Sequence, residues 1–275
     1  MSPEVLKVAT YNCNSIRTRL ELVLDWLRAE EPHILCLQET KTQDSGFPWE
    51  AFQGLGYHAR FRGQKAHAGV AMLSRKELQG VTFGLDDGED PDEPRLARVA
   101  VAGIALVNTY VPQGRTVDSP HFQYKLRWLN RLRAFFDRHY SPQDFLLWAG
   151  DFNVAPEPLD VYDRKRLEKH VDFHPHARRA LEKTREWGFV DVFRLHHPDD
   201  PGHYTYWDYR VPNALERGMG WRVDHIWATE PLARKSIGAW IDVDARRAKK
   251  PSDHTFVVAE FALRALSGDR SRQPV

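Results

Sequence analysis

Short apolar runs alternate with amphipathic segments along most of this chain, and this alternation constrains the fold more than any other feature. The runs at residues 5–13 and 33–38 are typical of buried strands. Between them, residues 20–31 carry Leu20, Val23, Leu24 and Leu27 at helical spacing, and Pro32 follows as a helix terminator. A strand, a helix and a second strand in this order favour two parallel strands joined by a crossover helix.

The same order recurs in the second half of the chain. A second helix is predicted at residues 119–139, and a strand at 144–150 follows it. Further strands are predicted at 57–62, 69–74, 96–101, 104–111, 203–207, 223–229, 237–243 and 255–261, with another helix at 175–187. Two such halves favour an α/β fold in which two mixed sheets pack face to face with helices outside. Because no Gly-, Pro- or Ser-rich linker separates them, we expect one domain over residues 1–264, with 265–275 as a flexible tail.

Composition and charge say little about partners but exclude several protein classes. The 39 Lys and Arg residues balance the 38 Asp and Glu residues, so net charge neither requires nor excludes nucleic acid. Cys13 and Cys36 lie in apolar runs and form no C-x-x-C pair that could hold zinc. No signal peptide and no apolar run of about 20 residues are visible, so we expect a cytoplasmic protein without a membrane partner.

Polar side chains lie at the ends of six predicted strands. The fold alone does not require polar residues at these positions. A single such residue is typically a turn former or a helix cap, but ligands of α/β sheets gather at these strand ends. Carboxylates and amides without thiols favour a hard cation such as Mg²⁺, and a His next to an Asp suits acid–base work on a phosphate. The pattern therefore predicts metal-assisted hydrolysis of a phosphoester. The residues are Asn12, Gln38, Glu39, Lys41, Asn108, Tyr110, Gln113, Asp151, Asn153, Asp224, Asp253 and His254.

Six segments also carry a resemblance to a known family. In order between residues 5 and 262, they read TYNCNSIR, LQETK, NTYVPQG, GDFNVA, WRVDHI and PSDH. They resemble the exonuclease III family of AP endonucleases, which belongs to the wider endonuclease/exonuclease/phosphatase superfamily. The resemblance implies a four-layered α/β sandwich and a partner that is double-stranded DNA with abasic sites or 3′ ends. It implies a monomer that hydrolyses phosphodiesters 5′ to abasic sites and at 3′ ends, leaving a 3′-hydroxyl and a 5′-phosphate.

The resemblance further implies the residues that would hold the metal ion. Glu39 is similar to the family's metal-binding glutamate, and Asp253 to a second acidic residue near the metal. Asn12 is similar to a residue that supports the metal or the phosphate site. The implied ion is Mg²⁺, with Mn²⁺ as an alternative, and the choice between one ion and two stays open.

Catalytic roles follow from the same resemblance. Asp151 is similar to the aspartate that orients or deprotonates the attacking water, and Asn153 to the asparagine that holds the phosphate and that water. Tyr110 resembles the tyrosine near the phosphate and the leaving oxygen. His254 resembles the phosphate-binding histidine, and Asp224 its carboxylate partner. An Asp224–His254 pair would orient the ring and favour its charged form.

Substrate-binding positions are implied as well. Gln113 is similar to a further phosphate contact, while Tyr206, Trp221 and Val223 fall where the family lines its abasic-sugar pocket. An apolar pocket suits a deoxyribose that has lost its base, because an intact nucleotide is larger and must leave the stack.

Two positions depart from the family pattern. Gly218 stands where an asparagine is common, and Asp172 where members generally have a small or neutral residue. We expect the carboxylate of Asp172 to repel DNA phosphates or to alter how a damaged nucleotide enters. This leaves open a 3′–5′ exonuclease or 3′-phosphatase with little abasic-site activity. Phosphatases and lipid hydrolases of the superfamily lack the WDYR stretch, and a non-catalytic nucleic-acid-binding module would be expected to have lost Glu39, Asp151 or His254.

Overall fold

The computed structural model describes residues 4–89 and 93–263. Within these ranges the chain forms twelve strands and seven α-helices. The strands are β1 (Glu4–Asn12), β2 (Ile34–Gln38), β3 (His58–Gly63), β4 (Gly69–Ser74), β5 (Gln79–Phe83), β6 (Leu96–Val101), β7 (Ile104–Tyr110), β8 (Leu146–Asp151), β9 (Phe189–Asp191), β10 (Asp224–Thr229), β11 (Ser236–Asp242) and β12 (Phe256–Leu263). The helices are α1 (Ile16–Glu30), α2 (Trp49–Gln53), α3 (Pro120–His139), α4 (Arg164–Leu167), α5 (Pro175–Arg185), α6 (Val192–His196) and α7 (Glu230–Ala233).

Two six-stranded sheets divide these strands. The first has the order β11-β12-β1-β2-β4-β3, and the second has the order β5-β6-β7-β8-β10-β9. Each sheet contains one parallel pair, β1 with β2 and β7 with β8, and its other pairs are antiparallel. Helix α1 joins the first parallel pair and α3 joins the second, so both predicted strand–helix–strand units are confirmed.

The sheets pack face to face, and helices cover both outer faces. Strand β2 has an almost entirely apolar sequence because both of its faces are covered. Ile34 and Cys36 face the other sheet, while Leu35 and Leu37 pack against the helices. Helices α1 and α2 cover the first sheet, and α3 and α5 cover the second. The predicted four-layered α/β sandwich is therefore confirmed.

Two predicted strand-end residues lie inside this sandwich and not at a ligand site. The Gln38 amide donates to Asn108 Oδ1 over 2.7 Å and to Thr10 Oγ1 over 2.9 Å. The Asn108 amide donates to the carbonyls of Leu37 and Ala71, each over 3.0 Å. Both side chains are completely buried, and these bonds link the two sheets, while Gln38 Oε1 has no hydrogen-bond partner among the described residues.

Several element predictions were wrong in detail. Residues 203–207 form no regular strand, because their backbone pairs with loops: Tyr206 bridges to both Trp221 and His254. Strands β5 and β9 were missed, since one is a largely exposed edge strand and the other has only three residues. Helix α1 also begins four residues before its predicted start. The single domain over residues 1–264 stays a prediction, and the predicted tail at 265–275 lies outside the described residues.

Candidate active site

One end of the sandwich carries a cleft of about 380 Å³. The register explains its position: Asn12 lies opposite Gln38 in the first sheet, and Tyr110 lies opposite Asp151 in the second, so strand ends of both sheets meet there. Nine of the twelve predicted site residues line the cleft: Glu39, Tyr110, Gln113, Asn153, Tyr206, Trp221, Val223, Asp253 and His254. The other three, Asn12, Asp151 and Asp224, lie directly beneath them and are almost completely buried.

Unusual backbone conformations shape the cleft at three points. Gly150 precedes Asp151 with φ 140°, and an added Cβ there would lie 2.0 Å from the Thr109 carbonyl oxygen, so only glycine fits between β7 and β8. Glu39 (φ 50°) and Asn153 (φ 48°) adopt left-handed conformations that non-glycine residues rarely occupy. Such conformations are typical of residues that the surrounding structure holds in place for function.

Asp151 is the centre of a hydrogen-bonded cluster. Asn12 Nδ2 donates to Asp151 Oδ2 and to Glu39 Oε1, each over 2.8 Å. Asn153 donates to the same carboxylate from its backbone N–H over 2.8 Å and from its amide over 3.2 Å. The oxygen of Asn12 accepts from the backbone N–H of Asn14. In this orientation Asn12 fixes the two carboxylates as a donor, and direct metal ligation would require its amide to turn over.

His254 and Asp224 form the predicted pair. His254 Nδ1 lies 2.7 Å from Asp224 Oδ2, and His254 Nε2 lies 3.9 Å from Asp151 Oδ2. Burial alone would lower the pKa of His254, but the charges of Asp224 and Asp151 outweigh it and raise the pKa to about 10. Burial, together with the charge of Asp224, raises the pKa of Asp151 well above its usual range. The ring is therefore a cation at neutral pH, oriented from below by a carboxylate.

Glu39 is held in its charged form by Lys41, which the sequence placed at the same strand end without giving it a role. Lys41 Nζ lies 2.7 Å from Glu39 Oε2, and its charge lowers the pKa of Glu39 although burial opposes the shift. Lys41 also donates to Asn14 Oδ1, and the Asn14 amide donates to Asp253 Oδ1 over 2.9 Å. The two predicted metal-binding carboxylates are thus linked through Lys41 and Asn14. The sequence feature that could have indicated this ion pair is the position of Lys41 two residues after Glu39 in LQETK.

The donor set suits a divalent cation. Glu39 and Asp253 both line the cleft, carboxylate oxygens are the donors that Mg²⁺ prefers, and Glu39 is ionised. Ligand atoms of Glu39, Asp151 and His254 lie within 4.8 Å of one another, but the cationic ring of His254 has no lone pair to offer a metal ion. Tyr110 lies beside them, and burial and the charge of Glu39 raise the pKa of its hydroxyl, so the phenol stays a neutral donor. These residues therefore fit a hard metal ion.

An aromatic wall adjoins His254. The Tyr206 ring lies 4.8 Å from the His254 ring and 5.4 Å from the Trp221 ring, measured between centroids. Val223 packs with both aromatic residues, and His170 contacts the outer side of Trp221 at 4.4 Å. The three predicted pocket residues therefore share one apolar surface next to the reactive groups.

The expected electrostatic effect of Asp172 is altered by a lysine that the sequence did not assign to the site. Lys125 is completely buried, and its Nζ lies 2.8 Å from Asp172 Oδ1. Gln113 donates to the other carboxylate oxygen over 3.3 Å, so Asp172 is paired and not a free negative charge at the cleft. The expected effect of Asp172 on DNA phosphates and on entry of a damaged nucleotide stays a prediction. A lysine between Phe122 and Leu129 on the apolar face of α3 was the available signal.

The other departure from the family pattern has a backbone explanation. Gly218 has φ 62°, a left-handed conformation that glycine and asparagine both adopt readily. An added Cβ at Gly218 would meet no atom within 4 Å. Glycine is therefore compatible with a turn in which relatives commonly have asparagine.

Comparisons with known proteins place the chain among DNA-processing hydrolases. Residues 9–254 match the model of the Endonuclease/Exonuclease/phosphatase family. Exodeoxyribonuclease III of Haemophilus influenzae is 28% identical over 93% of this chain and 100% of its own length. The solved structure of an AP endonuclease from Archaeoglobus fulgidus is 49% identical, covers 94% of this chain and 100% of that one, and has a TM-score of 0.91.

A second solved structure shows the other activity that the sequence left open. The 3′ phosphatase NExo from Neisseria, bound to a product DNA hairpin, is 34% identical to this chain. It covers 93% of this chain and 99% of its own, with a TM-score of 0.88. In the part of the chain that the structure describes, no helix has the length and apolar character needed to cross a membrane.

Proposed function

The chain belongs to the endonuclease/exonuclease/phosphatase family, and from this we propose that it is a DNA repair nuclease that hydrolyses phosphodiesters 5′ to abasic sites and at 3′ ends. The observation that carries the proposal is the position of the aromatic wall directly against His254, itself 3.9 Å from Asp151. A phosphate bound at His254 would place the neighbouring sugar against Tyr206 and Trp221. The 49% identity to an AP endonuclease supports the same substrate.

The charges of the site suit attack on a phosphodiester. A cationic His254 donates from Nε2 to a nonbridging oxygen, where negative charge grows in the transition state. Asp151 accepts a proton from the attacking water, and its raised pKa makes it a stronger base at neutral pH. Asn153, fixed by its contacts to Asp151, holds the phosphate and the water in line.

A metal ion would complete this arrangement. Glu39 would hold it, with Asp253 as the second acidic residue and Asn12 as support. When bound, Mg²⁺ or Mn²⁺ would neutralise phosphate charge and stabilise the departing oxygen. Tyr110 and Gln113 would contact the phosphate from the opposite side, since both line the same cleft.

A second function is favoured by Asp172. Its side chain and the Gln113 amide that donates to it line the same cleft as the aromatic wall and add a negatively charged group there. The similarity to a 3′ phosphatase supports an enzyme that trims 3′ ends with little abasic-site cleavage. Both functions use the same catalytic groups.

Two labelled duplexes test the proposal, one with a single abasic-site analogue and one with a recessed 3′ end. Each is incubated with the protein in Mg²⁺, in Mn²⁺ and in EDTA. We expect incision 5′ to the abasic site that EDTA abolishes. Digestion only from the 3′ end would favour the second function, and no cleavage of either duplex would contradict both.

The Asp151→Asn variant tests the catalytic assignment. We expect turnover to fall about 10²–10⁴-fold, as for loss of a general base, while DNA binding is retained. Asp25→Asn, on the exposed face of α1, is the matched control because it makes the same chemical change outside the cleft. Wild-type turnover in Asp151→Asn would remove this residue from the mechanism.

The remaining assignments are proposals of the same kind. We expect a monomer in the cytoplasm with double-stranded DNA as its partner. Sedimentation with and without a duplex would test the monomeric state, and a stable dimer would contradict it.

A further inference from the structure

Three side chains converge in the loop that follows α6, outside the cleft. His197, Asp200 and His203 are spaced three residues apart, and one ligand atom from each lies within 4.8 Å of the others. His197 Nδ1 is 3.3 Å from Asp200 Oδ2, and the two imidazole centroids are 5.3 Å apart. None of the three lines the catalytic cleft.

The hydrogen bonding of His197 directs its Nδ1 at this cluster. Its Nε2 lies 2.9 Å from the carbonyl oxygen of Ala239, and a carbonyl only accepts, so Nε2 carries a proton. Nδ1 then faces the carboxylate oxygen of Asp200 at 3.3 Å. A cation, either a proton on Nδ1 or a metal ion, has to lie between these two atoms. A backbone carbonyl on the far nitrogen is also how metal-binding histidines are commonly oriented.

The second imidazole supplies another ring nitrogen. The His203 ring packs against Phe193 with centroids 5.3 Å apart, so the same aromatic side chain contacts both imidazoles.

The loop is held in shape without any ligand. Arg194 donates from Nη1 to the carbonyls of His197 (3.0 Å) and Asp200 (2.8 Å), and its charge is balanced by Asp160 at 2.6 Å. The Phe193 ring stacks on His197 with centroids 4.5 Å apart. These contacts fix the positions of two of the three donors in advance.

We propose that His197, Asp200 and His203 bind a divalent transition-metal ion of the zinc type. Two imidazoles, one carboxylate and a water form a common tetrahedral zinc set, and nitrogen donors disfavour Mg²⁺ relative to zinc. The site is distinct from the catalytic one in its donors and in its position.

The ion would stabilise the segment that enters the cleft. Two residues after His203, Thr205 Oγ1 accepts from the backbone N–H groups of Val223 (3.0 Å) and Asp224 (3.1 Å). An ion bound by His203 would restrict this segment and, through Thr205, the backbone of Asp224, the carboxylate partner of His254. The role is structural, and it does not depend on which DNA substrate is cleaved.

Isothermal titration with Zn²⁺ in excess Mg²⁺, without DNA, tests the proposal. We expect His203→Gln and Asp200→Ala to weaken binding at this loop at least about tenfold, the lower range for disturbing even an outer partner of a metal ligand. His196→Gln is the matched control, because the adjacent His196 bonds Ser236 and lies outside the cluster. It should keep the wild-type isotherm.

Hydrogen exchange gives a second readout. We expect Zn²⁺ to slow exchange of the backbone amides at residues 203–207 in the wild type and in His196→Gln, but not in His203→Gln. Identical isotherms for His203→Gln and the wild type would overturn the proposal. So would equal weakening in the His196→Gln control. Neither outcome bears on DNA cleavage, so this test and that of the proposed function fail independently.

Discussion

Arg222 offers a test of how the floor of the cleft is stabilised. It lies two residues before Asp224, and its side chain is 1% exposed. Its Nε donates to Asp160 Oδ1 over 2.8 Å, and its Nη2 donates to Asp191 Oδ2 over 2.8 Å. The remaining Nη1 donates to Asp191 Oδ1 and to His225 Nδ1. One buried guanidinium therefore bonds to two buried carboxylates, and Arg194 supplies the second positive charge at Asp160.

The Arg222→Met variant keeps much of the side-chain length and removes the charge. Asp160 retains Arg194 at 2.6 Å, whereas Asp191 retains the backbone N–H of Arg194 at 3.2 Å and His225 Nδ1 at 3.8 Å but no guanidinium. Removing one partner of a buried ion pair typically costs about 3–5 kcal/mol, because the other charge is left uncompensated. We expect the free energy of unfolding to fall by this amount at neutral pH.

The pH dependence of this loss identifies its cause. In the wild type, burial would raise the pKa of Asp191, but the charge of Arg222 outweighs it and lowers the pKa to about 2. In Arg222→Met the opposing charge is gone, so the folded-state pKa of Asp191 rises above that of the unfolded chain. As pH falls, Asp191 of the folded variant binds a proton, and the free energy of unfolding of the variant rises above its value at neutral pH. The loss should therefore shrink in mildly acidic buffer.

Urea unfolding of four proteins measures the effect: the wild type, Arg222→Met, Asp191→Asn and the double variant. Because the carboxylate no longer needs a partner in Asp191→Asn, adding Arg222→Met to it should cost less. We expect a coupling energy of about 1–3 kcal/mol, typical of residues in one network. A loss below about 1 kcal/mol for Arg222→Met, the value of an exposed pair, would refute this reasoning. Additive losses in the cycle would refute it equally.

Three further changes have defined outcomes. In Asp224→Asn the ring of His254 loses the charge that, against burial, raises its pKa to about 10, so kcat/KM should decline as pH rises through neutrality; a pH profile identical to the wild type would exclude this role. Burial and Arg222 lower the pKa of His225 to about 4. The neutral ring therefore adds its full share to the free energy of unfolding above the unfolded pKa of 6.5, and this share is lost as pH falls toward 4. This amounts to about 3 kcal/mol, and His225→Gln should flatten the slope of unfolding free energy over that interval; an unchanged slope contradicts the assignment. Lys125→Met leaves the neighbouring carboxylate unpaired and should destabilise the fold by about 3 kcal/mol and raise KM for DNA, measured by denaturation and steady-state kinetics; unchanged values of both would contradict it.

The sequence identified residues that the structure brings together at one cleft, because the signals for them are local. Glu39 and Asp151 each follow an apolar run, and the direction of parallel strands brings such positions to one edge of a sheet. Periodicity predicted α3 nearly to its ends, since Ser119 caps it and Pro120 begins it. These inferences needed no knowledge of distant contacts.

Long-range partners could not be predicted in this way. Arg222 lies in a segment where polar and apolar residues alternate. The residues next to it in the sequence do not indicate that its partners are Asp160 and Asp191, which are 62 and 31 residues away. Gln38 and Asn108 matched the pattern of strand-end ligands, yet they hydrogen-bond to each other between the sheets. A polar residue in a strand is compatible with a ligand site or a buried network, and only the packing of the two sheets decides.

The buried charges have a positional role that their energies alone do not explain. A buried ion pair recovers little more than its desolvation cost, so its benefit lies in what it holds in place. Lys125 donates to the carbonyl of Asn153 over 2.5 Å, and His225, itself bonded to Arg222, lies 3.1 Å from the next carbonyl, that of Val154. Both networks therefore end on consecutive peptide groups where the left-handed backbone of Asn153 needs support. The fold places its buried cations where they fix Asn153, the residue proposed to hold the phosphate and the attacking water.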